Sequence, residues 1–326
     1  MFYRYEYMNM TLEKKNVAGI FREQWFLLLI VVLALSLIAG INNPNYFTVS
    51  NMVSILEQIS VLGLVAAGAT ILIISGNFDI SVGSIIGLTT CCVAMLMNTG
   101  LSDLWAVLLG VAISAACALV NGTFTILLKA PSFIVSLATM GVYKGIALAL
   151  TEGTLQTIYG RFEFIGKTRF FDFIPLLFLI SLAGYICVHY ILTKTKLGRR
   201  VYAIGNNSNA AYLSGIKVDQ NKLVFFLLNG ILIGVAAALL LSRVGTAQPA
   251  TGSGYEMKAI GAVVIGGVPL FGGRGKVLGT FCGVLLLGVI GNVLNMLQVS
   301  PYLQDIVFGL LVLAALAVSR FSTSKN

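Results

Sequence analysis

The stretch TKTKLGRRVYAIGNNSNAAYLSGIKVDQNK, residues 193–222, is a polar island set between two long apolar segments. The island holds six of the 21 Lys and Arg residues, whereas the flanking segments 173–193 and 223–242 contain no Asp, Glu, Lys or Arg. Each flanking segment has the roughly 20 residues that a helix needs to cross a bilayer. The pattern predicts two membrane helices joined by a water-exposed island, which is long enough to offer a short helix to a cytoplasmic partner.

The composition of the whole chain is that of an integral membrane protein. Hydrophobic residues make up 58%, charged residues make up 10%, and the mean hydropathy is +0.94, which no ordinary soluble domain matches. The apolar runs are continuous and do not alternate with period two, so a β-barrel is disfavoured. The five cysteines lie in apolar segments without metal-type spacing, and we expect them to serve packing. The sequence therefore predicts an all-α polytopic fold.

About ten transmembrane helices are expected. Charge-free runs of spanning length cover residues 24–56, 58–78, 80–102, 104–128, 173–193, 223–242 and 277–304. Shorter apolar runs, which become spans if slightly polar ends are allowed, cover residues 130–143, 259–273 and 306–319. No cleavable signal peptide is apparent. We expect a cytoplasmic N-terminal segment at residues 1–24, a transmembrane domain at 25–320 that includes the island, and a cytoplasmic tail at 321–326.

The orientation follows from the basic residues, which accumulate in short cytoplasmic loops. With both termini inside, ten helices place 15 of the 21 Lys and Arg residues on the cytoplasmic side, the island included. The connection 42–51 and the segment 151–171 then lie outside. The net charge of +9 reflects this topology, and a nucleic-acid partner is excluded because the chain has no basic soluble face.

Two pairs of segments indicate a weak internal repeat, namely residues 62–84 with 230–254, and residues 118–137 with 289–311. In the second pair, Asn121 lies ten residues before Pro131. Asn292 lies nine residues before Pro301. On the topology above the two halves run in opposite directions, and an inverted repeat of this kind is typical of transporters whose pathway lies between the halves. Chance similarity among apolar helices is the alternative.

The motif GNFDISVGS, residues 76–84, puts an acid, an amide and two hydroxyls between two spans. A charge in lipid costs roughly 2.5 to 3.5 kcal/mol, so Asp79 must face protein, water or the membrane surface. Asp79 either caps the helix that begins near Ser81 or contacts the solute directly. We expect Asn77, Asp79 and Ser81 to belong to a gate or to the pathway.

A second irregular stretch, SRVGTAQPATGSGYEMKAI at residues 242–260, combines Gly, Pro, Thr and Gln before the next span. Such backbone survives near a membrane only when it is buried in protein or lines a water-filled path. It is either a gate or an ordinary external loop. Gln248 in this stretch, with Asn292 and Asn295 further on, is suited to passing hydroxyl groups, although helix–helix hydrogen bonding is the alternative role for each residue.

No catalytic or metal-binding residues and no cofactor site are predicted. The glycine-rich stretch 263–280 contains GRGK, but Leu270 stands where a phosphate-binding loop needs its first Gly, and Val277 stands where it needs Ser or Thr. No His/Glu metal cluster or Ser/Lys dyad occurs at useful spacing. The chain is therefore not expected to be an enzyme or to bind ATP at this stretch.

Four motifs together resemble those of the membrane permease subunits of ribose-type ABC importers. They are GNFDISVGS, LGRRVYAIGNNSNAAYLSGIKV, TAQPATGSGYEMKAIGAVVIGG and FGGRGKVLGT, in this order and spacing, and the resemblance covers about residues 47–319. It implies a multi-pass protein of the bacterial inner membrane. It also implies three partners: a second permease subunit, identical or paralogous, a cytoplasmic ATP-hydrolysing subunit, and an extracytoplasmic solute-binding protein.

The same resemblance makes the island the loop that couples the permease to the ATPase. Ala210, Ala211 and Gly215 match the AAxxxG core of the docking helix, and Arg199 and Arg200 belong to the same motif. An acid often precedes the paired alanines in such permeases, whereas this chain has Asn209. Docking by shape, without a salt bridge from position 209, is therefore expected.

The expected solute is a ribose-like monosaccharide, and permeases of this type also serve autoinducer-2, inositol and nucleosides. An ion-coupled secondary transporter is the alternative from another class. That class would be marked by paired carboxylates deep in the spans. Here Glu57 and Asp305 fall near the ends of predicted helices. The ATP-driven importer is therefore the preferred interpretation.

Overall fold

The structure, a computed structural model, describes residues 23–323, with side chains described up to residue 317. Residues 1–22 of the predicted N-terminal segment and residues 324–326 of the predicted tail lie outside the described part. In chain order the helices are α1 (Gln24–Asn42), α2 (Val49–Ile74), α3 (Val82–Asn98), α4 (Asp103–Leu127), α5 (Ser132–Thr151), α6 (Glu163–Lys167), α7 (Leu176–Lys194), α8 (Lys196–Asn206), α9 (Ser208–Leu213), α10 (Val218–Val244), α11 (Tyr255–Ile265), α12 (Val277–Met296) and α13 (Pro301–Thr323).

Four two-residue strands pin the loops between these helices. They are β1 (Gln156–Thr157), β2 (Arg169–Phe170), β3 (Ile174–Pro175) and β4 (Thr246–Ala247). Strand β1 pairs antiparallel with β4, with Thr157 opposite Thr246, and β2 pairs antiparallel with β3. The strands only fix connections, so the predicted all-α fold is confirmed.

Seven of the described helices are long and apolar enough to cross a membrane: α1, α2, α4, α5, α7, α10 and α12. Helix α3 and the first 17 residues of α13 are shorter apolar helices. The polytopic membrane architecture expected from the sequence is confirmed at this level.

The break between the first two helices lies inside the connection 42–51 expected from the sequence, within the charge-free run 24–56. The structure separates α1 from α2 at residues 43–48, and Glu57 lies within α2. Pro44 falls in this break, where proline and the restricted residue before it end a helix. Glu57 does not end the helix because its carboxylate lies 3.2 Å from Arg243 Nε and 3.5 Å from Arg169 Nη2.

Helix α2 is the centre of the fold. Its apolar window is 89% buried, compared with 11% for α1, and it packs against α7, α10, α11 and α12. Helix α10 packs in turn against α3 and α4. A Cβ added at Gly230 of α10 would lie 2.6 Å from the Ala118 Cβ of α4, so the glycine permits this close approach. The outer helices α1, α4, α5 and α7 leave apolar faces exposed, as lipid contact requires.

The bundle has two ends with different contents. At one end, Tyr202 of the island donates a hydrogen bond to Gly275 O (2.9 Å), and the amide of Gly273 donates to Ile74 O at the end of α2 (2.8 Å). We call this the island end. The opposite end carries residues 43–48, the segment 152–175 and the paired strands β1 and β4. The segment 152–175 is fixed at this end by Arg161, which donates a hydrogen bond to Leu101 O (2.6 Å).

Candidate functional site

The loop between α2 and α3 is buried although it is polar. Asn77, Asp79 and Ser81 are exposed by 4%, 6% and 0%. The start of α5 satisfies the loop backbone, since Phe78 N donates to Ser132 Oγ (2.8 Å) and Ile80 N donates to Ser136 Oγ (3.0 Å). A peptide segment without regular hydrogen bonding is thereby stabilised inside the protein.

Both carboxylate oxygens of Asp79 accept hydrogen bonds from neutral donors. Asp79 Oδ1 accepts from Ser81 N (3.0 Å), Ser81 Oγ (2.6 Å) and Asn121 Nδ2 (3.2 Å). Asp79 Oδ2 accepts from Asn229 Nδ2 (3.2 Å). The amide of Ser81 precedes the first turn of α3, so this bond belongs to a local turn before the helix. The contacts with Asn121 and Asn229 add long-range links to α4 and α10.

The network continues on both sides of Asp79. Tyr143 of α5 donates to Asn121 Oδ1 (2.9 Å). On the other side, Asn229 is fully buried, and its Oδ1 has no hydrogen-bond partner among the described residues. A Cβ at Gly68 would lie 2.5 Å from this oxygen, so the glycine of α2 makes room for the amide of α10. Four helices, α2, α4, α5 and α10, therefore meet around one buried acid.

Sequence reasoning did not assign Asn229 or Tyr143 to this site. Their signal was the presence of polar groups inside charge-free spans, where a buried amide or hydroxyl needs a partner. Asn121 entered the sequence argument only through the repeat. Its position one turn and a half before the end of α4 brings its amide to Asp79.

The second irregular stretch packs into the protein. Gly245 (φ +74°) ends α10, and Gly254 (φ +88°) precedes α11. Between them the backbone lies against α3, where a Cβ at Gly83 would be 2.6 Å from Gly252 O and a Cβ at Gly87 would collide with Pro249 O. Gly83 and Gly87 are one helical turn apart, so they form the smooth face that receives this backbone.

Glu256 is a further acid that the sequence analysis did not single out. Its Oε1 accepts a hydrogen bond from Gly254 N (3.1 Å). Its Oε2 is buried beside Gly83 without a partner among the described residues. Gln248 in the same stretch is exposed, and its backbone amide donates to Thr251 Oγ1 (2.8 Å).

The other two predicted pathway amides lie near the opposite end, away from Asp79. Asn292 is 3% exposed and exchanges two hydrogen bonds with Asn51 of α2, at 2.7 and 3.1 Å. Asn295 is exposed and accepts a hydrogen bond from Gln304 Nε2 (2.8 Å). The structure therefore brings Asn77, Asp79 and Ser81 together and keeps the other amides apart from them.

The island forms two short helices. Thr195 Oγ1 caps α8 by accepting a hydrogen bond from Gly198 N (3.2 Å), and Asn207 Oδ1 caps α9 by accepting one from Ala210 N (3.0 Å). These are the side chains that helix N-termini favour. The short helix expected in the island is confirmed.

Gly215, the last residue of the AAxxxG match, has a structural role within this chain. It adopts φ +82°, and no atom lies within 4 Å of a Cβ built at this position. The amide of Ile216 donates to Ala211 O (3.1 Å), which closes α9 in a left-handed C-terminal turn that favours glycine. Within the chain, Gly215 is a helix stop.

The remaining island residues assigned to coupling are mostly exposed. Arg199, Asn209 and Ala210 are exposed, whereas Ala211 is buried. Arg200 is also exposed, and its Nη1 lies 3.3 Å from Asn221 Oδ1 at the start of α10. Ala211 therefore anchors α9 to the protein, and the other side chains remain available to a partner.

A backbone junction connects the island with the Asp79 loop. A Cβ at Gly205 of α8 would collide with Ile74 O and would lie 2.8 Å from Gly273 N. Gly272 (φ +77°) approaches the end of α2 closely as well, since a Cβ added there would lie 2.9 Å from Ile74 O. The GGRGK turn is thus a packing element, and three backbone segments meet at Ile74, a few residues before Asp79.

The described residues form a polytopic helical bundle with a buried polar loop between two helices and a helical island at one end. The chain belongs to the family described as branched-chain amino acid transport system, permease component, which matches residues 51–316. The resemblance to ribose-type permeases, drawn above from four motifs, is confirmed, and with it the multi-pass location in the inner membrane.

Individual relatives align over almost their whole length. The chain is 40% identical to the ribose import permease protein RbsC of Bacillus subtilis, over 88% of this chain and 89% of the relative. It is 35% identical to RbsC of Escherichia coli K12, over 95% and 99%, and 36% identical to the L-arabinose permease AraH of the same strain, over 90% of each. No solved structure matches significantly.

Proposed function

We propose that this chain is the membrane-spanning subunit of an ATP-driven importer of a monosaccharide, ribose or a similar pentose. The support is the alignment with permeases named for ribose, allose and L-arabinose over 88 to 95% of the chain. Autoinducer-2, inositol and nucleosides are the alternative solutes. The proposed complex contains a second permease subunit, a cytoplasmic ATP-hydrolysing subunit and an extracytoplasmic binding protein.

Ten crossings with both termini inside are the proposed topology. The shorter helices α3, α11 and α13 bring the seven long spans to ten crossings. Successive crossings run in opposite directions. The six basic residues of the island, with Arg274 and Lys276, lie at one end, which supports a cytoplasmic island end. Helix α11 has 11 residues and spans only about 16 Å, so the irregular stretch 245–254 completes its crossing.

The packing supports an inverted repeat of α2–α5 and α10–α13. In each half a long helix ends before a glycine of positive φ, Gly76 or Gly245, and a shorter helix follows. Helix α2 packs against α11 and α12 of the other half, and α10 packs against α3 and α4. The first helix of each half is therefore inserted into the other half, and the pathway is proposed to lie along this interface.

The gate assignment rests on the position of Asp79 between the halves. Its carboxylate bonds Asn121 of its own half and Asn229 of the other. Relative movement of the halves must stretch or exchange the second bond. We therefore assign Asn77, Asp79 and Ser81 to a gate near the island end, and the stretch with Gln248 to a gate near the opposite end. Asn292 and Asn295 are assigned to the pathway near the same end.

The island is proposed to dock the ATP-hydrolysing subunit. Two capped helices with exposed Arg199, Asn209 and Ala210 offer a defined surface, and the backbone junction at Gly205 connects it to the Asp79 loop. A force applied to the island would thereby reach the gate. Because position 209 carries an amide, the docking relies on shape.

Uptake by proteoliposomes tests the proposal. The chain is reconstituted with the proposed ATP-hydrolysing subunit and binding protein, and labelled ribose, L-arabinose and inositol are supplied outside. ATP-dependent uptake that resists proton and sodium ionophores supports the importer. Uptake that follows an imposed proton or sodium gradient without ATP would favour the secondary transporter instead.

A further inference from the structure

The side chain of Phe271 is 95% exposed in the glycine-rich turn at the island end. The turn is closed by a hydrogen bond from Gly272 N to Pro269 O (3.0 Å). Gly272 and Gly273 both have positive φ, which fixes a conformation that other residues rarely adopt. A rigid turn thus presents one large aromatic side chain to its surroundings.

The turn lies at the centre of the protein's cross-section. Gly273 N donates to Ile74 O, the last residue of α2 (2.8 Å), and α2 is enclosed by α7, α10, α11 and α12. Lipid contacts the perimeter of the bundle, so a residue at the end of this central helix faces the water or a protein at the island end. Aromatic side chains bury large apolar areas and dominate the energetics of interfaces, so an exposed aromatic residue in such a position can anchor a protein partner.

The turn is continuous with the island. The peptide of Gly273 packs against Asn206 at the end of α8, and Tyr202 of α8 bonds Gly275 O. The following helix α9 carries two further exposed apolar side chains, Tyr212 (69%) and Leu213 (84%). The island end therefore has two apolar projections on one connected backbone.

We propose that Phe271 is a second docking contact for the ATP-hydrolysing subunit, beside the α9 tip formed by Tyr212 and Leu213. The inference rests on the proposed function, in which the island binds that subunit. A partner that binds Phe271 contacts the turn whose Gly273 amide is hydrogen-bonded to Ile74. Ile74 ends α2 immediately before the Asp79 loop. The second contact thus gives the partner a direct hold on the end of the central helix.

Binding between the permease in nanodiscs and its purified ATP-hydrolysing subunit tests this contact. Phe271→Ala is expected to raise the dissociation constant about tenfold, as loss of an aromatic anchor does. Phe271→Leu is expected to recover part of the affinity. Phe171→Ala is the matched control, because Phe171 is 94% exposed at the opposite end, and it should bind normally. Leu213→Asp tests the α9 tip independently.

The outcomes separate the two proposals. Weakened binding by Leu213→Asp with normal binding by Phe271→Ala overturns the second contact and leaves island docking intact. Normal binding by both variants overturns island docking itself. In a background with Trp25→Phe and Trp105→Phe, the fluorescence of Phe271→Trp should shift to shorter wavelength when the partner is added. Quenching by brominated phospholipids before the partner is added would identify a lipid anchor and contradict the inference.

Discussion

The carboxylate of Asp79 accepts a hydrogen bond of 3.2 Å from the side-chain amide of Asn229, which lies 150 positions further along the chain. Both residues are buried, and Asn229 belongs to α10, the helix that packs most extensively across the core. This bond connects the loop after α2 with the other half of the proposed repeat. A change in the relative position of the halves would lengthen or break this hydrogen bond.

Two substitutions of Asp79 should distinguish the contribution of its charge from that of its hydrogen bonds. Asp79→Asn is expected to fold and to transport partially, because Asn229 can turn its unpartnered Oδ1 toward the new amide. Asp79→Leu is expected to be inactive and less stable, since unpaired buried polar groups cost about 1 to 3 kcal/mol each. Uptake and thermal unfolding should be measured together. Equal activity of the two variants would contradict a role for this network.

Gly68 should be required because of Asn229. Gly68→Ala is expected to lower the free energy of unfolding by about 1 to 3 kcal/mol, as overpacking does, because the new Cβ would lie 2.5 Å from Asn229 Oδ1. The same change in an Asn229→Ala background should cost less, which a double-mutant cycle measures as coupling. Strict additivity of the two changes would show that the residues do not constrain each other.

Gly205 should be needed to transmit motion from the island. Gly205→Ala forces a Cβ against Ile74 O, so the junction must open. Uptake is expected to fall at least about tenfold, the equivalent of about 1.4 kcal/mol, while membrane insertion is retained. Gly309→Ala is the control, because no atom lies within 4 Å of its Cβ position. Normal uptake by Gly205→Ala would show that the junction is passive.

Gly215 should be needed for its backbone conformation and for access to the docking surface. Gly215→Asn is expected to retain assembly, because asparagine tolerates positive φ. Gly215→Trp should lose partner assembly and uptake together while the protein still inserts. Pull-down of the ATP-hydrolysing subunit, alongside uptake, checks both variants. Normal uptake by Gly215→Trp would mean that the island is only a connector.

The sequence predicts the helices well because lipid imposes a strong constraint on composition and length. The apolar runs predict the all-α fold and most spans, and the polar interruption between them predicts the helical island. The charge at Glu57 ends an apolar run in the sequence but does not end a helix in the structure, because it pairs with Arg243, which lies 186 positions away. A pairing over such a distance leaves no mark on the local pattern.

The candidate site could be predicted only in part for the same reason. The motif with Asp79 stands out because an acid is rare between two spans. Its partners Asn121 and Asn229 do not, because they are single amides on helices that the fold brings together. Gly215 illustrates the opposite case: the motif marks this glycine as special, but only the backbone angle reveals that it closes α9.

The ten-crossing topology places residues 206 and 45 on opposite sides of the membrane. In a background without the five native cysteines, single cysteines at Asn206 and Asn45 should react with membrane-impermeant reagents from opposite sides. Residue 206 lies at the island end, and residue 45 lies in the break between α1 and α2. Reaction from the same side would reject an odd number of crossings between them, and with it the ten-crossing arrangement.

We propose that the two irregular segments form gates at opposite ends which open out of phase. Cysteines at Ser81, which is fully buried in this structure, and at Thr251 report on the two segments. Their labelling rates in the assembled complex should be compared between the ATP-free state and a state with ATP trapped. We expect the two rates to change in opposite directions. Rates that stay constant, or that rise or fall together, would contradict the gates and leave both segments as structural breaks in the helices.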